Sequence, residues 1–153
     1  MNALLWGILL SLSPIVEMQG GIPVALSSGF NPWLVFILCY AANLLVIPIL
    51  YFFLEFVHDR FLHFKTYQSA FDKLMERCRK KVRPYVDKYG MIGFALFVAI
   101  PTPGTGAYTA TLGAWFLGMP KRKAFIAIAV GILINAFIVF GVAFGGMKLF
   151  SVI

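Results

Sequence analysis

The stretch "PIVEMQGGIP", residues 14–23, decides how this chain is read. Glu17 sits there between apolar runs, with Gly20, Gly21 and Pro23 close behind it. Two prolines and two glycines in ten residues predict backbone that is not regular helix. A buried carboxylate at the centre of a bilayer costs about 2.5–3.5 kcal/mol. One of only six acids in the chain is therefore expected to have a use there.

The surroundings of this stretch are apolar. The chain has 153 residues, of which 61% are hydrophobic and 12% charged. Soluble domains carry about 25% charged residues, so a water-soluble fold is not expected. The net charge of +7 is concentrated in the segment up to Lys88 and in Lys121, Arg122 and Lys123. Basic clusters beside apolar spans mark cytoplasmic segments of membrane proteins. No finger or aromatic–basic strand motif accompanies the charge, so no nucleic-acid partner is expected. Cys39 and Cys78 form neither a disulfide framework nor a metal-ligand spacing, and no metal or cofactor is expected. "MNALLWGILL" lacks a charged leader region and is read as part of the mature protein.

Two runs, Trp33 to Val57 and Ala124 to Met147, exceed the ~20 residues that cross a bilayer. Two others, Ala3 to Ser13 and Met91 to Ile100, reach only about 15–17 Å as helices, half of a ~30 Å core. Each short run ends at a break: residues 14–23 and "PTPGTG", residues 101–106. Each break leads into a further short apolar piece, a glycine–proline turn ("GFNP" at 29–32, "GMP" at 118–120), and a full span. Pro14 and Pro101 are 87 residues apart, and Pro32 and Pro120 are 88 apart. The order is an internal repeat, and paired interrupted segments in corresponding halves point to a transporter-like binding site.

Between the halves, Phe64, Tyr67, Phe71, Leu74, Cys78, Val82 and Tyr85 recur at three- and four-residue steps. They predict an amphipathic helix with a basic opposite face, lying on an anionic membrane surface and kinked or restarted at Pro84. The expected organisation is one membrane domain over 1–153: a first repeat at 1–57, a basic amphipathic linker at 58–89 and a second repeat at 90–153.

The charges separate two topologies. If the short runs are hairpins that dip in and return, twelve basic residues lie on the linker side against Lys148 alone on the other. Four continuous crossings give ten against three. The hairpin reading satisfies the positive-inside rule better. It makes the fold an all-α integral membrane protein: an inverted repeat of two re-entrant helical hairpins, each followed by a transmembrane helix. The broken tips then meet near the midplane.

Those tips supply the candidate site. Burial of a carboxyl favours its proton-bound form, so Glu17 is the candidate proton-coupling residue; the competing reading is a cap on the N–H groups around Gly20 and Gly21. Gln19 can donate and accept. Gly20 and Gly21 permit positive φ and close backbone approach. In "IPTPGTGAYTATLGAW", residues 100–115, Gly104 and Gly106 free the backbone, Thr102, Thr105 and Thr109 offer hydroxyls, and Tyr108 a phenol. N–H groups ahead of a helix starting near Ala107 would attract an anion. These residues, from Gln19 to Thr109, are the candidate substrate contacts. Pro14, Pro23, Pro101 and Pro103 are read as architectural. Asn43 and Asn135, inside the spans, are read as pinning the hairpins by hydrogen bonds. No nucleophile–base pair is evident, and no enzymatic activity is expected.

At "PIVEMQGGIP" and "AIPTPGTGAYTATLGA" the sequence resembles the putative small multi-drug export protein family, related to the DedA/SNARE-associated (VTT) membrane superfamily. Glu17, Gly20, Gly21, Ile22 and Pro23 match the family's first motif, with Gln19 where an arginine is common. Pro101, Pro103, Gly104, Thr105, Gly106 and Ala107 match its second motif. The resemblance implies paired re-entrant hairpins and proton-coupled movement of a lipid-linked or amphipathic small substrate across a prokaryotic plasma membrane. Superfamily members that carry phosphate-lipids have arginines in the second hairpin; none occurs here between Arg83 and Arg122. The competing functions are small multidrug efflux and a membrane scaffold that binds a partner through the basic linker. Membrane lipids are the expected surroundings, and a 17 kDa chain with so few helices is expected to form a homodimer.

Overall fold

The computed structural model describes residues 2–14, 16–56, 58–61, 63–102 and 105–150, leaving aside the side chains of Asp59, Phe61, Lys148 and Phe150. Pro103 and Gly104, both named above as site residues, lie outside the described residues. Those described are helical or in short connections, and none is in a strand. The helices are α1 (Asn2–Ser11), α2 (Glu17–Leu26), α3 (Pro32–Phe56), α4 (His58–Phe61), α5 (Lys65–Ala99), α6 (Ala107–Phe116) and α7 (Lys121–Phe150).

Among the described residues, α3 and α7 are the two helices long and apolar enough to cross a membrane, with mean hydropathies of 2.4 and 2.7. Only 39% and 44% of their most apolar windows are buried within the chain. The rest of each surface is apolar and uncovered, as a lipid solvent requires. Pro32 opens α3 at the helix's first position, where a missing N–H costs nothing, and Asn31 Oδ1 caps the Trp33 N–H at 2.9 Å.

Alpha-1 and α2 run against each other at close range. A Cβ on Gly7 would overlap Ala25 and the Gly21 carbonyl; one on Gly21 would overlap the Ser11 hydroxyl. Small residues four apart on both helices, Gly7 with Ser11 and Gly21 with Ala25, let the backbones approach. The first break is therefore shorter than the sequence suggests. Gly20, Gly21 and Pro23 are all within helix α2, which begins at Glu17, while α1 ends at Ser11. Positive φ falls not on either glycine but on Glu17 itself, at 50°.

The linker helix also departs from expectation. It runs through Pro84 without leaving helical φ/ψ, and stops and restarts at Gly90 (φ 58°, ψ −136°). Phe71 and Cys78 of its apolar stripe, with Met75 beside them, are packed on Leu54 at the end of α3 and on Leu112 and Trp115 of α6. Val82 meets Gly113 of α6 so closely that a Cβ there would press on it. Phe71, Cys78 and Val82 of the stripe assigned to a membrane surface are thus packed on the protein's own helices, while Phe64, Leu74 and Tyr85 stay exposed.

Beyond Gly90 the element order of the N-terminal part recurs: a short helix (α5 from Met91 to Ala99), a break, a ten-residue helix (α6), a turn and a long span (α7). Both turns use a glycine at positive φ, Gly29 at 77° and Gly118 at 64°. Asn43 Nδ2 donates to Ser11 O at 2.9 Å, and Asn135 Nδ2 to Val98 O at 3.2 Å. Each span's asparagine thus ties down the end of the short helix in its own half. Lys121, at the start of α7, pairs with Glu55 at the end of α3. Trp33, at the start of α3, packs with its ring 5.6 Å from that of Phe140 far along α7. The two spans are antiparallel, and α7 begins at the end of the molecule where the linker begins.

Candidate functional site

The two breaks meet, and each is closed by side chains from the other. Glu17 stands in the first turn of α2 and is 5% exposed. Its carboxylate lies over Gly106, where a Cβ would overlap it, and accepts a hydrogen bond from the backbone N–H of Tyr108. Gly106 is the N-cap of α6 and has no side chain with which to cap. The first N–H groups of a helix lack intrahelical partners and carry the positive end of its dipole. Glu17, from the other half of the chain, supplies the missing acceptor. The anion expected at this helix start is therefore the protein's own. The N–H that Glu17 serves is Tyr108's, and not those around Gly20 and Gly21 expected for a local cap; Gly20 N–H donates to Val16 O.

Gly106 has φ of −83° and ψ of −156°, a conformation open to any residue. What excludes a side chain there is the Glu17 carboxylate, not the backbone angle.

The cross-bracing continues on either side. The Tyr108 hydroxyl donates to Leu12 O at 2.5 Å, satisfying a carbonyl in the first break. Gln19 Nε2 donates to Thr102 O at 2.9 Å, satisfying one in the second. Thr105 Oγ1 lies 2.7 Å from Ile100 O and 2.8 Å from Thr102 O, holding the second break's own turn. Thr102 is exposed and its hydroxyl is 3.1 Å from that of Thr105. Thr109 is half-buried on the first turn of α6. Gly20 is half-buried, with a Cβ position that would overlap the Val16 side chain, while Gly21 faces α1 and not the other tip. Pro14 and Pro101 are exposed at the breaks, and Pro23 is half-buried within α2.

Two spaces adjoin this junction. A small void of about 10 Å³ is bordered by Glu17, Gln19, Asn43, Gly106 and Asn135. A groove of about 570 Å³ is lined by Gln19, Pro23, Ser27 and Pro101 on one wall and by Ile138, Val142 and Met147 of α7 on the other. None of its lining residues is charged. Gln19, whose side chain bonds Thr102 O, borders both spaces.

Sequence reasoning missed the parts played by Leu12, Ser11 and Gly7, and treated Asn135 only as a pin. The Gly7/Ser11 and Gly21/Ala25 spacings were a readable sign of close helix packing. That a main-chain carbonyl at Leu12 would need a donor from residue 108 had no sequence signal. Among the described residues no cluster of His, Cys, Asp and Glu could hold a metal ion.

No curated protein and no solved structure matches the chain. The family described as "Putative small multi-drug export protein" matches residues 17–138, from the first residue of α2 well into α7. The match takes in Glu17, the second break and all of α6, and it covers well over half of the chain, so the chain belongs to this small multi-drug export family of membrane proteins.

Proposed function

We propose that the protein is a proton-coupled transporter of a small amphipathic or lipid-linked substrate, built as an inverted repeat of two re-entrant hairpins, and not an enzyme. The observation that carries this reading is the buried Glu17 carboxyl at the one place where both chain breaks meet. A carboxyl there can hold a proton while buried and lose it when the junction opens. The Glu55–Lys121 pair supports the hairpins. Four crossings would carry Lys121 to the end of the bundle away from the linker. The groove beside Gln19 supports an amphipathic substrate, since its walls are mostly apolar and its polar side chains are Gln19 and Ser27. In this reading the linker is cytoplasmic and the membrane is the plasma membrane of a prokaryote. The DedA-like relation remains part of the proposal, with a second copy of the chain completing the path.

The test is transport in reconstituted liposomes, with and without a pH gradient, over anionic lipids and cationic amphiphiles. The expected outcome is gradient-driven movement by the native chain, lost in Glu17→Gln, which keeps shape and hydrogen bonding but cannot exchange a proton. Full gradient-dependent transport by the Gln variant overturns the coupling role.

A further inference from the structure

Asn135 ends in an oxygen with nothing to accept. The residue is 3% exposed; its Nδ2 donates to Val98 O at 3.2 Å, and its Oδ1 is buried without a hydrogen-bond partner. Buried acceptors are nearly always paired, so an exception calls for a donor. Rotating the amide is no remedy, because it would set Oδ1 against the Val98 carbonyl, oxygen to oxygen. The nearby amides are directed elsewhere: Asn43 Nδ2 donates to Ser11 O and Gln19 Nε2 to Thr102 O, and the second N–H of neither reaches Asn135 Oδ1.

Asn135 borders the same small void as Glu17. Its volume of about 10 Å³ is roughly that of one water-sized probe. The start of α6 directs the positive end of its dipole at this spot, which disfavours a metal ion there. A donor with an O–H group suits both neighbours.

We infer that the void holds one O–H donor shared between Glu17 and Asn135, and that Asn135 is thereby a positioning residue for the Glu17 carboxyl. The donor is either the carboxyl's own proton, directed at Asn135 Oδ1, or a single water that bridges the two side chains. Either source joins α2 of the first half to α7 of the second. Tyr108 on α6 is the neighbouring titratable group, its hydroxyl committed to Leu12 O. The residues of α3, α5 and α7 that border the void are uncharged. The inference does not depend on what the protein carries, or on its carrying anything.

Infrared difference spectroscopy on the full chain in lipid tests it. Subtracting Glu17→Gln from the native spectrum isolates the Glu17 carboxyl. Asn135→Leu should shift that band or abolish a bridging-water band. Asn43→Leu, which loses the corresponding bond to Ser11 O, serves as the structural control and should move them less. An O–H band that moves in H₂¹⁸O and vanishes in Asn135→Leu identifies the water. A shifted carboxyl band with no such ¹⁸O-sensitive band identifies the carboxyl proton. If Asn135→Leu does not fold, asparagine labelled at its amide carbonyl in the otherwise native chain gives the same answer, since Glu17→Ala should then move one asparagine band. Carboxyl and water bands indifferent to Asn135→Leu, or asparagine bands indifferent to Glu17→Ala, overturn the inference.

Discussion

Glu17 and Gly106 form a lock in which the absence of a side chain on one residue makes room for the carboxylate of the other. Gly106→Ala should therefore destabilise the protein by about 1–3 kcal/mol, the usual cost of overpacking. In a Glu17→Ala background the same change should cost much less, because the space above residue 106 is then free. Thermal unfolding in detergent, run as a double-mutant cycle, checks this; equal losses in both backgrounds would show that the carboxylate does not fill that space. Glu17→Ala alone should cost about 0.5–2 kcal/mol, as loss of a helix cap does. Glu17→Gln should cost less, since its Oε1 can still accept from the Tyr108 N–H. Stability and transport thus part here: Gln is expected to preserve the fold and to lose the coupling.

At the scale of elements, the α1–α2 pair depends on glycines for proximity rather than for unusual φ. Gly7→Leu or Gly21→Leu should prevent folded protein from accumulating, because each new side chain would meet backbone or a buried side chain of the facing helix. Gly145→Leu on α7, where nothing lies within 4 Å, should be tolerated. Size-exclusion profiles of the three variants, compared at equal expression time, decide between packing and a general intolerance of leucine. The linker helix gives a different expectation. Cys78 is 2% exposed, and burial pushes its thiol up from the ordinary value, with Lys81 only partly opposing. Thiolates react and thiols do not. Native Cys78 should accordingly resist maleimide at neutral pH, while a cysteine replacing exposed Arg77 should react promptly. Rapid modification of Cys78 in the folded chain would mean that the linker stripe is not packed on α3 and α6.

For the whole molecule the question is which residues share a side of the membrane. In a Cys78→Ser background, cysteines placed at Arg77 and at Lys121 should label from the same side with an impermeant reagent. The Glu55–Lys121 pair at the junction of α3, linker and α7 is the reason. Labelling from opposite sides would restore four crossings and remove the re-entrant hairpins from the proposal.

The sequence by itself determined the membrane class, the two spans, the doubled element order and the two stretches where helix is interrupted. These follow from hydropathy, length and the backbone limits of proline and glycine, all of which are local. It misjudged the extent of the first break, because Gly20, Gly21 and Pro23 read as helix breakers when their neighbours are unknown. Packing against Gly7 and Ser11 turns the same small residues into helix contacts. It misplaced the linker's restart for a related reason: Pro84 is helical, and the chain bends instead at Gly90. Only the tertiary structure decided what Glu17 faces. The carboxylate's partner is the N–H of Tyr108, ninety-one positions along the chain, and a backbone N–H carries no signature in the residue type that bears it. The unpaired oxygen of Asn135 was hidden in the same way, since an asparagine's two ends are distinguishable only when the groups around them are in place.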